Sequence, residues 1–450
     1  MRWRRDARRA AIVVAFTVIA GLVLSGCSAP PGSRGQVGPR FVTPPLIHYT
    51  SVLWPVPLQL IGAEPGSRVR LVASMPTPQG RWSSEATYTI PLSGTLDLAR
   101  ARPQLAPFAS PDSAGLFWSL RGPELSPSAQ IEKWMGSTAE VTIDAVQGGR
   151  IVASRLFRLD GLGANLRPSR VYDREFVEAA VAAGDLELPQ PETDPPWSGG
   201  RETEPVADFY SARSIERPRT PAVIVFDDTS PGASSDFVAP LLAAFGAAVL
   251  VLPSGGAANG AQTVNAINAS TVEAALDWLD ARDDIDGRNI FVYGSGPAEQ
   301  FALWSAVRFS DRIVGAFGSG GSTALLCMAG SPVSAAFENG IGVPCQADAG
   351  RVDRGSIFAL DDIRGPVVLG CGGRDEVLLN ACRWLDAAVE VRGVHAGDGI
   401  VRARDAAHPI TVPPGLPIDL ADPVTAEATE QARIAFWNAV ARILLRAGRS

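Results

Sequence analysis

The feature that most constrains this chain is a run of apolar strands alternating with helical segments, beginning at Pro221. PAVIVF is an unbroken apolar run, SDFVAPLLAAFG has helical spacing, and AAVLVLP is apolar again. STVEAALDWLDARDDI reads as an amphipathic helix closed by Asp286-Gly287, followed by the strand RNIFVYG and the helix PAEQFALWSAVRFS. IVGAFGSG and GPVVLGC supply further strands, and EATEQARIAFWNAVARILLRA a closing helix. Strands too apolar to face water on either side, separated by helices, imply a mostly parallel sheet covered on both faces. Ligands of such sheets bind beyond the carboxyl ends of the strands.

This pattern covers residues 218–448, and a chain of 450 residues has room for a second core. Residues 43–161 read differently. PVPLQLIG, SRVRLVASM, SEATYTIPL, LFWSL, AEVTIDAV and RIVASRLFRL are short and partly alternating, with turn signals such as Glu64-Pro65-Gly66-Ser67 between them. Short, evenly spaced strands predict a β-sandwich. The expected fold class is therefore all-β followed by α/β. Residues 162–217 form a linker, with a short helix in EFVEAAVAAG and a polar, Pro-rich loop after it. His48, at the edge of the sandwich, reads as a packed or solvated side chain.

The first 27 residues stand apart from both folds. MRWRRDARR is basic, and AAIVVAFTVIAGLV is apolar but short for a membrane span, as in an export signal. Leu24-Ser25-Gly26-Cys27 resembles a bacterial lipobox, which implies cleavage before Cys27 and lipid on its thiol; a signal anchor with an incidental Cys is the plainer alternative. Residues 28–42 read as a flexible tether. Extracytoplasmic attachment to a membrane through lipidated Cys27 is the expected location. The net charge of −7 and the absence of a long basic run after residue 27 argue against nucleic acid as a partner.

Cys327, Cys345, Cys371 and Cys382 remain. An even number outside the cytoplasm favours disulfides, and pairing of sequence neighbours, 327 with 345 and 371 with 382, is one of three connectivities. Four buried thiols are the alternative. No Cys/His spacing suits zinc, Gly255-Gly256 and Gly318–Gly321 lack a phosphate-loop Lys, and Asp227-Asp228 reads as a solvated pair. No metal or cofactor is expected.

Three residues stand where strand ends should meet. Ser295 follows RNIFVYG and precedes a helix, the strand–turn–helix seat of a hydrolase nucleophile. Asp375 follows the strand in GPVVLGC, and His408 lies in the later loop AAHPITVPPGLP. The order Ser, Asp, His is that of the α/β-hydrolase fold. His395 lies in VEVRGVHAG, which reads as a strand. In this arrangement the N–H of Gly296 would face an oxyanion, with Thr229 or Ser230 as the second donor.

PVPLQLIGAEPGSRVRLVASM, RWSSEATYTI, GTLDLARARP and DSAGLFWSL together resemble the N-terminal domain of the acyl-CoA thioesterase and bile acid-CoA:amino acid N-acyltransferase family. GRNIFVYGSGPAEQFAL, GGRDEV and AAHPITVPPGLP are similar to its nucleophile, acid and His segments, in the same order. The resemblance implies an Ig-like sandwich, an α/β-hydrolase domain, and an acyl thioester substrate hydrolysed by a Ser295–Asp375–His408 triad. Three departures accompany it. Tyr293 and Pro297 stand where the family has glycines, DDTSPGASSD replaces a Gly-rich turn, and Leu378 replaces an aromatic residue. Export makes a lipid ester or other acyl compound at the envelope a better substrate than coenzyme A thioesters. The departures leave open a second reading, an inactive hydrolase-fold lipoprotein that binds a lipid or a protein partner.

Overall fold

The computed structural model describes residues 38–42, 50–51, 58–126, 129–130, 132–136, 138–161, 168–182, 205–211, 219–227, 234–252, 266–328, 331–418 and 420–449. Cys27, His48, Asp228, Thr229, Ser230, Gly255-Gly256 and residues 183–204 of the Pro-rich loop lie outside them. No helix among the described residues is long and apolar enough to cross a membrane.

The first half holds strands β1 (Arg40–Val42), β2 (Thr50–Ser51), β3 (Gln59–Ile61), β4 (Arg68–Thr77), β5 (Gly80–Thr89), β6 (Thr95–Asp97), β7 (Thr138–Gln147) and β8 (Arg150–Asp160). One sheet has the order β1-β3-β6 and the other β2-β8-β7-β4-β5. Alternation decides which faces meet: Val69, Leu71, Ala73 and Met75 of β4 are buried together with Leu60 and Leu96 of the smaller sheet, while Arg68 and Arg70 point to solvent. Two local readings change. Residues 40–42, expected in the tether, pair with β3. LFWSL contributes no strand; Gly115–Trp118 is one helical turn, α1, with all four residues buried. A run of five residues carries no period that separates the two states.

The second half is an eight-stranded sheet. It contains β9 (Ser169–Tyr172), β10 (Pro205–Tyr210), β11 (Thr220–Phe226), β12 (Ala248–Leu252), β14 (Ile285–Ser295), β15 (Ile313–Ser319), β18 (Val367–Gly372) and β19 (Gly399–Ala403). The order is β19-β18-β15-β14-β11-β12-β10-β9. Within it β10 is antiparallel to both neighbours, and the remaining pairings are parallel. A small separate sheet joins β13 (Ile267–Asn268), β16 (Ala336–Glu338) and β17 (Ile341–Gly342). The large sheet thus starts inside the expected linker, because β9 and β10 are too short and too polar to register as buried strands.

Helices α2 (Asp173–Ala182), α3 (Ser235–Ala244), α4 (Ala269–Asp280), α5 (Glu299–Arg308), α6 (Ala381–Arg392) and α7 (Pro423–Ala447) accompany these strands. On one face of the sheet Val223, Val225, Phe291, Tyr293 and Phe317 pack with α3 and α7. On the other, Ala222, Ile224, Ile290, Val292 and Ala316 pack with α4, α5 and α6. The first of these cores runs on without a break into the sandwich residues around Leu116–Trp118. VEV, expected in a strand before His395, is instead the end of α6, whose buried Trp384, Leu385, Ala388 and Arg392 recur at helical spacing. Cys327 is bonded to Cys345 and Cys371 to Cys382, each with Cα atoms 5.1 Å apart. The second bridge spans the segment that carries Asp375.

Candidate active site

β14 carries an unbroken buried run to the top of the sheet and ends at Ser295, which pairs with Ser319 at the end of β15. Ser295 keeps extended backbone angles (φ −126°, ψ 154°). The chain turns at the next residue, where Gly296 has φ +50°; Gly296–Ala298 form a 3-10 turn that leads into α5. The turn is tight. A methyl group on Gly294 would come within 2.3 Å of the Ala298 carbonyl oxygen, so the close approach that demands glycine falls at 294. Tyr293 is accommodated elsewhere: it stacks on Trp437 of α7, ring centroids 5.8 Å apart. Side chains two apart on a strand share a face, so Ser295 points to the α7 side as Tyr293 does.

The acid and the histidine meet on that side. Asp375 follows β18 and is buried. Its Oδ1 accepts from the backbone N–H groups of Val377 and Leu378, both at 2.8 Å, and its Oδ2 lies 2.8 Å from His408 Nδ1. A carboxylate can only accept, so Nδ1 carries the proton and Nε2 is left basic. The imidazole lies against Gly320, where a methyl group would stand 3.0 Å from Cε1. Gly320 follows Ser319, the strand partner of Ser295, so the ring sits at the strand ends beside Ser295.

His408 lies in a loop between β19 and α7, and α7 fixes it. Ala407 N–H donates to Thr429 Oγ1 (2.9 Å), and Gly415 N–H to Glu430 Oε1 (2.7 Å). Arg433 Nε donates to the Pro409 carbonyl (2.9 Å) and Trp437 Nε1 to the Thr411 carbonyl (3.1 Å). None of these α7 residues is marked in the sequence, where they read as one face of an amphipathic helix. A cavity of about 630 Å³ opens at the same strand ends, lined by Gly296, Gly320, Gly321, Leu326, Met328 and Leu378 among others. Ser295 is 1% exposed and is not among the lining residues. Among the described residues no group of three or more His, Cys, Asp or Glu side chains is placed to hold a metal ion.

Glu299, the first residue of α5, lies in the segment that resembles the family's nucleophile segment, and the structure adds it to the site. It is buried, and its Oε2 accepts from Gly321 N–H at 2.5 Å. Burial pushes its carboxyl up to about 8, and the Asp375 carboxylate adds to the rise. The folded state therefore holds this proton after the unfolded chain has released it near 4.5. Its contribution to stability is complete below that value and is lost as pH rises toward about 8, at up to about 1.4 kcal/mol per pH unit. Glu299→Gln removes that titration. Urea unfolding at pH 5, 6.5 and 8 should show a shallower loss of stability in the variant, and parallel pH profiles would contradict the assignment.

The strand order, the lone antiparallel strand next to the edge and the Ser295/Asp375/His408 placement define an α/β-hydrolase fold. At its N-terminal side, residues 54–159 match the model of the acyl-CoA thioester hydrolase/BAAT N-terminal region. No curated protein matches it. Solved structures similar to it include a dienelactone hydrolase-like promiscuous phosphotriesterase, P91, from metagenomic libraries (21% identity, 53% of this chain and 92% of that one, TM-score 0.34). Carboxyl esterase 2 from the mycorrhizal fungus Tuber melanosporum is similar at 14% identity (61% and 99%, TM-score 0.35). An esterase of Pyrobaculum calidifontis is similar at 17% (61% and 92%, TM-score 0.35).

Proposed function

We propose that this protein hydrolyses acyl esters or thioesters through Ser295, His408 and Asp375, at the outer face of a membrane to which lipidated Cys27 holds it. The observation that carries the reading is the 2.8 Å His408–Asp375 pair beside the end of the strand that bears Ser295. In the reaction, His408 Nε2 takes the Ser295 proton as Oγ attacks the acyl carbonyl. The Gly296 N–H stabilises the tetrahedral oxyanion, with Thr229 or Ser230 as the candidate second donor. Collapse expels the thiol or alcohol, which receives the proton from His408, and water then releases the acid by the same route. Leu326, Met328, Ala335 and Leu378 along the cavity suit an apolar acyl group. The two disulfides support the oxidising, extracytoplasmic location that the N-terminal segment suggests.

One observation favours the second reading, a hydrolase fold that binds an acyl compound or a protein without cleaving it. The residue with left-handed backbone at the tip of the turn, where such folds expose their nucleophile, is Gly296, and Ser295 lies one residue earlier, buried. A fluorophosphonate probe on the mature chain tests both. Labelling that disappears in Ser295→Ala supports hydrolysis by Ser295. A folded wild type that stays unlabelled, beside a Gly296→Ser variant that becomes labelled, overturns it in favour of a site whose nucleophile position is empty. The strain of a side chain at that φ, roughly 1–2 kcal/mol, leaves Gly296→Ser testable.

A further inference from the structure

We propose that the β-sandwich is a positioning element for His408, acting through the chain between that histidine and α7; this rests on the role given to His408 above. The connection from Pro409 to Asp422 contains no helix or strand among its described residues, yet residues 410–416 are buried. A buried loop needs partners for its backbone groups, and a loop this long is otherwise free to shift. α7 supplies partners for its first part, through Thr429, Glu430, Arg433 and Trp437. The sandwich supplies them for its second part.

Three contacts make that second clamp. Ile418 N–H donates to the carbonyl of Trp118, the last residue of α1, at 2.9 Å. The Arg121 guanidinium donates to the Leu420 carbonyl. The Glu427 carboxylate, in the first turns of α7, accepts from the backbone N–H groups of Ala109 (2.5 Å) and Ser110 (3.3 Å) of the sandwich. The sandwich side is itself braced: Trp118 Nε1 donates to Asp112 Oδ2 at 2.7 Å, and Asp112 Oδ1 accepts from Ala114 N–H at 2.7 Å. A methyl group on Gly115 would reach within 2.5 Å of the Phe108 ring, so α1 can lie this close only with glycine there. Leu416 and Ile418 share one core with Leu116, Phe117 and Trp118. The Gly115–Ser119 block thus grips the polypeptide that carries the general base. Trp118, Arg121 and Glu427 are positioning residues, since none touches the reacting atoms.

The test uses the full mature chain with Arg121→Ala, Glu427→Ala and the double variant, and two readouts. The first is the rate of fluorophosphonate labelling. The second is the NMR signal of the His408 Nδ1 proton, sheltered by Asp375 and assigned by its loss in His408→Gln. Each Arg121 or Glu427 hydrogen bond to a backbone group involves a charge, so the double variant should show about tenfold slower labelling and about tenfold faster exchange of that proton. Arg121→Lys, which keeps a donor, should recover part of both. A double variant with wild-type labelling and wild-type exchange overturns the proposal. If the wild type is not labelled at all but the proton still exchanges faster in the variants, the hydrolase reading fails and the clamp stands.

Discussion

On the proposed triad, Asp375→Asn should lower the rate of acyl transfer by about four orders of magnitude while leaving the fold intact. The reason lies in how the carboxylate is held. Oδ1 accepts from two backbone N–H groups, those of Val377 and Leu378. An asparagine must keep its carbonyl oxygen on those two donors, which turns its NH₂ toward His408 Nδ1. Nδ1 then has to accept, so the imidazole proton moves to Nε2, and the ring can no longer take a proton from Ser295. His408→Ala removes the base itself and should cost as much, and the two losses should not add, because the residues act as a unit. Labelling time courses with the three single variants at Ser295, Asp375 and His408 and one double variant measure this. An Asp375→Asn protein within about threefold of wild type would show that the tautomer is not set as the geometry requires.

The largest effect on stability is expected at Arg433. It is buried within α7 and donates to the carbonyls of Pro409 and Leu416, with Glu430 Oε2 at 3.6 Å. Burial pushes the Glu430 carboxyl up to about 8 and the Arg433 guanidinium down to about 10, and each partner limits the other's shift. Arg433→Leu leaves the two buried carbonyls of Pro409 and Leu416 without this donor. Each buried acceptor left unsatisfied costs about 1–3 kcal/mol, read as a lower urea midpoint at unchanged slope. Glu430→Gln keeps an acceptor for Gly415 N–H and should cost much less. Equal losses in the two variants would show that the guanidinium does not staple the loop.

The sheet is legible where strands are buried on both faces. PAVIVF, AAVLVLP and RNIFVYG have no polar face to hide, and β11, β12 and the end of β14 lie where those runs stand. The contact of Asp375 with His408 can be anticipated from chain order, because this fold brings strand ends together. What is not legible depends on neighbours remote in sequence. β9 and β10 are strands of four and six residues at one edge of the sheet, and their only strong signal is the sheet they join. Tyr293 reads as a steric fault beside the nucleophile, but strand alternation sends it onto Trp437, far along the chain in a helix whose role as its support no local pattern announces. Nothing local in the sequence announces that Glu299 and Arg433 are buried on backbone partners.

The apolar core that passes from the sandwich under α1 to α3 and α7 bears on how this molecule can be divided. Cutting the chain between its two halves would leave Leu416 and Ile418 without their sandwich neighbours on one fragment and Leu116 and Phe117 without theirs on the other. Neither piece is then a self-sufficient module that a genome could shuffle or a protein engineer could graft. Heat should melt both together in one calorimetric peak, with no temperature at which a lone hydrolase half survives its sandwich.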